Sequence, residues 1–266
     1  MEHIVRYFFT TLAINEQYLN NSIQLFCDIH QKTSDSYFNI TTSQKDIDNL
    51  TISNLNFFSD LKEKFPRLNF TTIESFNFKI ECPTDSDGYG FTFNVNMKCL
   101  SFKSCLKLGF EFDYILFVDG DWNIHEGFNE EKIKNLFSAM ESKNLDFVFE
   151  RPARIGDDRL SPARSFYNQK IHDYDIHDVP LWDEAHVCNE QFLVFKNNWK
   201  FKVFVQKWEQ MMWYSIANRI RNYAEGFEIG ICALESSMNW NWFLLKILND
   251  CFNFKPKYTE NIHVRF

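Results

Sequence analysis

Tyr114-Ile115-Leu116-Phe117-Val118 constrains this chain more than any other segment: five apolar residues in a row, ending on Asp119-Gly120-Asp121. A strand with one wet face alternates apolar and polar residues. A run that is apolar at every position suits a strand covered on both faces, as in parallel sheets sandwiched between helices. In such sheets ligands bind beyond the carboxyl ends of the strands, and that is where the two aspartates fall.

The flanking pattern supports this reading. Strand patterns over Ile4–Thr10, Tyr37–Thr41, Asn69–Phe76, Leu145–Phe149 and Gln191–Phe195 alternate with helical patterns. The helices are expected over Glu16–Ile29, over Leu55–Phe65 with Pro66 as the stop, and over Phe93–Leu108 with Gly109 as the cap. Further helices are expected from Asn129 onward, with Glu130 and Glu131 in the first turn, and over Trp199–Arg221 and Ile229–Leu248. A β-α-β-α order implies an α/β fold: one domain with a mainly parallel central sheet flanked by helices. The 266 residues and 45% apolar content supply one core and are too few for two full domains. Arg151 to Asn189, polar and with three prolines, reads as a long loop region.

Charge and cysteine usage exclude several functions. A net charge of −8 does not suit a nucleic-acid backbone, whose binding needs Lys and Arg to displace counterions. The seven cysteines are scattered, odd in number and free of any CxxC pair, which argues for reduced thiols in a cytoplasmic setting. The apolar run from Ile4 ends at Asn15-Glu16, too early for a signal peptide, and no stretch is long and apolar enough for a transmembrane segment.

Two carboxylates flanking one glycine at the tip of a buried strand suit a hard divalent cation. Mg²⁺ and Mn²⁺ take oxygen ligands, usually one or two carboxylates completed by substrate phosphates. Gly120 lets the backbone turn sharply and approach a ligand. The competing reading is a plain turn closed by Asx-type hydrogen bonds.

Asp113 to Asp121, together with the preceding segment Phe93-Asn94-Val95-Asn96-Met97-Lys98 and its helix, resembles the core of the GT-A (Rossmann-like) glycosyltransferases. Phe9 to Leu19 resembles the first strand and loop of that family, and the resemblance runs over about Ile4 to Glu150. It implies a donor half over residues 1–125 and an acceptor half over 126–266. It implies that Asp119 and Asp121 hold Mn²⁺ or Mg²⁺ against the diphosphate of a nucleotide sugar, a UDP-sugar ahead of a GDP-sugar. Thr10, Thr11, Ala13, Asn94, Lys98, Asp119 and Gly120 would line the donor, and the late His263 would be a further metal ligand. The acceptor would be a glycan or glycoconjugate.

Ala224-Glu225-Gly226-Phe227-Glu228 resembles the acidic helix start that presents a base to the acceptor in inverting members, with Gly226 where a second acidic residue often stands. Glu225 and Glu228, three apart, would share a helix face. Asp183, in Asp183-Glu184-Ala185-His186, is a second source of a base. The rival functions are a non-catalytic nucleotide-sugar or carbohydrate-binding protein, and a nucleotidyltransferase on a related fold. The latter usually carries a glycine-rich, basic loop after its first strand, whereas Thr10 to Glu16 holds no Gly, Lys or Arg.

Overall fold

The computed structural model describes residues 5–34, 36–53, 55–76, 97–120, 122–153, 187–217, 225–241 and 252–254. The central run behaves as its composition demands. Tyr114–Val118 forms strand β4, and all five of its residues are buried. Ile115 and Phe117 enter one apolar cluster, while Tyr114, Leu116 and Val118 enter the other on the opposite face. A strand sandwiched in this way has no use for an alternating polar position.

Three strands stack on one side of β4. They are β1 (Tyr7–Leu12), β2 (Ser36–Thr42) and β3 (Leu68–Thr72), mutually parallel and parallel to β4. On the other side lie β7 (Val187–Lys196), β6 (Phe147–Ala153) and the short β8 (Trp240–Asn241), giving a seven-stranded sheet of order β3-β2-β1-β4-β7-β6-β8. β7 is antiparallel to both neighbours, β4 and β6, while β8 runs parallel to β6. The sheet is therefore mixed and mostly parallel. Because β7 comes from the second half of the chain, the two halves share one sheet.

Helices cover both faces. Helices α1 (Glu16–His30), α3 (Phe57–Lys64) and α5 (Glu130–Ser142) bury Leu19, Ile23, Phe26, Leu61, Ile133 and Phe137 against one face. The other is covered by α4 (Lys98–Lys107), α6 (Trp199–Ala217) and α7 (Glu225–Glu235) through Leu100, Phe102, Phe204, Trp208, Met212 and Ile229. α4 stops where Gly109 takes a φ of +70°, which a side chain would resist. Cys27, Cys99, Cys105, Cys188 and Cys232 are free and buried. Burial pushes the Cys27 and Cys105 thiols up to about 12, so both stay protonated. Among the described residues no helix is long and apolar enough to cross a membrane.

Four expectations need correction. Gln44–Ser53 is an additional helix, α2, begun by reciprocal hydrogen bonds between Ser43 and Asp46. The third strand ends at Thr72, and Ile73–Phe76 is a 3-10 turn. The helix expected over Ile229–Leu248 ends at Glu235, because Ser237 turns to a φ of +51° and the chain extends into β8. A short strand β5 (Trp122–Ile124) pairs antiparallel with β9 (Phe252–Phe254) in a second, two-stranded sheet.

Candidate functional site

The strand order changes direction between β1 and β4: the chain first builds outward to β2 and β3, then returns to the other side of β1. A crevice outside the carboxyl ends of two such strands is the usual ligand position in an open α/β sheet. Asp119 stands on it. Its backbone N–H donates to the Gln191 carbonyl of β7 at 2.9 Å, and its carbonyl accepts from the Trp122 N–H at 3.1 Å. The second bond closes a tight turn that reverses the chain into β5. Gly120, in that turn, is buried against α1. A Cβ there would collide with the Ser22 hydroxyl and lie 3.6 Å from the Tyr18 carbonyl. A side chain there would force the Ser22 hydroxyl to turn aside.

The Asp119 carboxylate does not stand alone. Lys98 Nζ lies 3.5 Å from Asp119 Oδ2, with the two side chains 10% and 20% exposed. The same ammonium sits 5.4 Å from the centroid of the Phe117 ring, a cation–π distance. Lys98 is the first residue of α4, whose first turn holds no acidic side chain. A lysine there opposes the positive end of the helix dipole. Its placement is therefore set by the carboxylate and the ring across from it, not by its own helix.

The β1 side of the crevice is built differently. Thr10 is fully buried and its hydroxyl donates to the Ser101 carbonyl at 3.0 Å, tying β1 to α4. Thr11 is also fully buried, and its hydroxyl has no partner among the described residues. Ala13 is buried and its N–H donates to the Thr41 carbonyl at 2.8 Å. These three set the course of the loop while their side chains face the interior. The exposed part is Asn15 to Gln17. Asn15 has φ 91° and ψ 157°, a region populated almost solely by glycine. It is held there from both sides. Its side chain caps α1 by accepting from the Tyr18 N–H at 3.0 Å, and its own N–H donates to Asp46 Oδ2 at 3.0 Å.

Asn15 and Asp46 are the residues that reading the sequence missed. An Asn ahead of an apolar-periodic segment signals a helix cap; nothing in the order of residues signals its bond to Asp46.

Glu228, on α7, is only 1% exposed, and its Oε2 accepts from Trp208 Nε1 at 3.3 Å. It stands in the apolar layer between α6 and α7. Glu225 is the first residue of α7. Asn94, Asp121, Asp183 and His263 lie outside the described residues.

For a divalent cation, Asp119 offers a hard oxygen donor of the right chemistry at the strand tip, and the neighbouring ammonium marks the spot as one that accepts positive charge. Among the described residues no three His, Cys, Asp or Glu side chains converge into a metal cage. An ion held by one or two carboxylates and substrate phosphates needs no such cage.

No family model and no curated protein matches the chain. Among solved structures it is similar to the mannosyltransferase Ktr4p from S. cerevisiae, at 12% identity and a TM-score of 0.46, over 96% of this chain and 74% of that one. It is also similar to the 4-diphosphocytidyl-2C-methyl-D-erythritolsynthase from Anaerococcus prevotii, at 11% identity and a TM-score of 0.44, over 90% of this chain and 87% of that one. Similarity at this level carries no argument about activity; the fold stands on its strand order and packing.

Proposed function

We propose that the chain is a metal-dependent glycosyltransferase of the GT-A kind, moving a sugar from a nucleotide-diphosphate donor to a glycan or glycoconjugate acceptor in the cytoplasm. One observation carries this reading: a carboxylate, Asp119, at the carboxyl tip of the doubly covered strand β4, at the point where the strand order reverses, with a partly buried cation 3.5 Å away.

In this reading residues 1–125 bind the donor and 126–266 the acceptor. Asp119 and Asp121, with His263, hold Mn²⁺ or Mg²⁺. The ion when bound offsets the negative charge that develops on the leaving diphosphate. Lys98 and the amide groups opening α4 add positive potential from the side. The loop Ala13 to Gln17 borders the nucleotide, a UDP ahead of a GDP. A base must reach the attacking hydroxyl. Glu225, Glu228 and Asp183 are the base candidates, with Glu228 buried beside Trp208.

A thermal-shift series of UDP- and GDP-sugars, each with Mn²⁺ and with EDTA, tests this. A ligand of the native state raises Tm by mass action. One donor raising Tm with Mn²⁺ and losing the effect in EDTA is the expected result. A flat response to every donor under both conditions contradicts the proposal.

A further inference from the structure

We propose that Lys98 is an internal counter-ion for Asp119, and that it makes the divalent cation and the diphosphate depend on each other for entry to the site. The inference rests on the reading of Asp119 as a metal ligand. Three observations on Lys98 support it. The ammonium lies 3.5 Å from the carboxylate, with both side chains at least four-fifths buried, where salt screens charges weakly. Lys98 stands in the first turn of α4, where the helix dipole repels a cation, and Asp119 helps to offset that cost. The Phe117 ring holds the ammonium 5.4 Å from its centroid, which limits the directions in which it can retreat.

A divalent ion arriving alone on Asp119 meets a positive charge already in place. It must displace the ammonium or tolerate it at close range, and both weaken its binding. A diphosphate arriving alone draws the ammonium toward itself and leaves the Asp119 carboxylate uncompensated close by. When both arrive, the diphosphate oxygens accept from Lys98 while the metal takes over Asp119, and every charge has an opposite neighbour. Each ligand therefore raises the affinity of the other by the same factor, as linkage requires.

The experiment measures Mn²⁺ binding to the full chain by the loss of the free-ion electron paramagnetic resonance signal, and UDP binding at saturating Mn²⁺ by calorimetry. Both are done for wild type, Lys98→Met, Lys98→Arg and Asp119→Asn. Lys98→Met, which keeps an apolar stem against Phe117, is expected to bind Mn²⁺ alone roughly tenfold more tightly and UDP roughly tenfold more weakly, within the usual size of coupling between sites. Lys98→Arg, which keeps the charge, should track wild type and shows that the effect is not one of folding. Asp119→Asn should lose Mn²⁺ binding.

If Asp119→Asn loses the metal but Lys98→Met binds Mn²⁺ and UDP as wild type does, the counter-ion is refuted and the metal site stands. If Asp119→Asn binds Mn²⁺ as wild type does, or no variant binds it, the metal reading falls and takes the counter-ion with it.

Discussion

The two ends of the sheet treat their polar groups differently. At the end where β1, β4 and β6 begin, carboxylates are spent on the chain itself. Asp113 and Arg6 exchange backbone and side-chain bonds at 2.8 and 2.9 Å, and the Asp113 carbonyl accepts from the Asn197 N–H at 2.7 Å. Asp146 accepts from Asn198 at 2.6 Å, Lys200 at 2.8 Å and the Asn239 N–H at 2.9 Å. At the carboxyl end, the hydroxyls of Thr11, Thr42 and Ser22 are buried without a partner among the described residues, Asn15 is held in a strained conformation, and Asp119 has a long ion pair. The first end has orphan atoms too, but Asn197 and Glu235 are each held through their other polar atom, leaving Ser236 alike among the described residues. One end spends its polarity on stability. The other leaves it under-satisfied, which is what a surface built for something other than the chain looks like.

The largest expected effect lies at the stable end. Asp146→Ala should cost about 3 kcal/mol, because it strands a partly buried lysine, and should leave donor binding unchanged; denaturant titration and calorimetry check the two halves of that statement. The same residue gives a pH signature. Burial alone would raise the Asp146 carboxyl, but the bonds from Lys200, the Asn239 N–H and Asn198, together with the Lys200 charge, outweigh it and hold the carboxyl below its ordinary value. A carboxyl depressed in the native state adds stability that is full above its unfolded pKa of about 3.9. That stability is lost as pH falls through the lower native value. Wild type should therefore lose stability more steeply than Asp146→Asn below about pH 4, as read from Tm against pH.

Next in size is Gly120→Ala. The added methyl meets the Ser22 hydroxyl, which can turn aside, so the cost should be about 1.5 kcal/mol, toward the low end of overpacking. Ser22→Ala, which removes the hydroxyl without placing a glycine inside α1, should recover most of it in the same chain, a non-additivity that a double-mutant cycle measures. Smallest, and opposite in sign, are Thr11→Val and Thr42→Val. Each removes a buried, unpartnered hydroxyl and should stabilise by about 1 kcal/mol. Thr10→Val loses the bond to Ser101 and should destabilise. If all three valine variants destabilise alike, the contrast between the two ends is broken.

What the residue order reveals follows from the range of the forces involved. β4 was legible to its boundaries, because a strand covered on both faces writes its burial into every position. α2 was not, since Gln44–Ser53 carries only Ile47, Leu50 and Ile52 among polar residues and depends on its Ser43–Asp46 cap. β5 was invisible because its partner lies over a hundred positions away, at Phe252–Phe254. In the site, the position of Asp119 at a strand tip was legible. Its pairing with Lys98 was not, because α4 must first pack back across the sheet to bring residues 21 apart in sequence together. The inward direction of Thr10 and Thr11 was missed for the same reason: a strand's end can face a ligand through its backbone while its side chains serve the core.

The central claim is that Asp119 works on a bound donor and does not hold the fold. Its most direct test is metal-dependent release of nucleotide from the donor found by thermal shift, measured for wild type and Asp119→Asn alongside the Tm of each. The account predicts that Asp119→Asn stays folded, with a Tm several degrees below wild type because Lys98 loses its counter-ion, and with nucleotide release lost. Wild-type release by Asp119→Asn, or a collapse in its Tm, would contradict it.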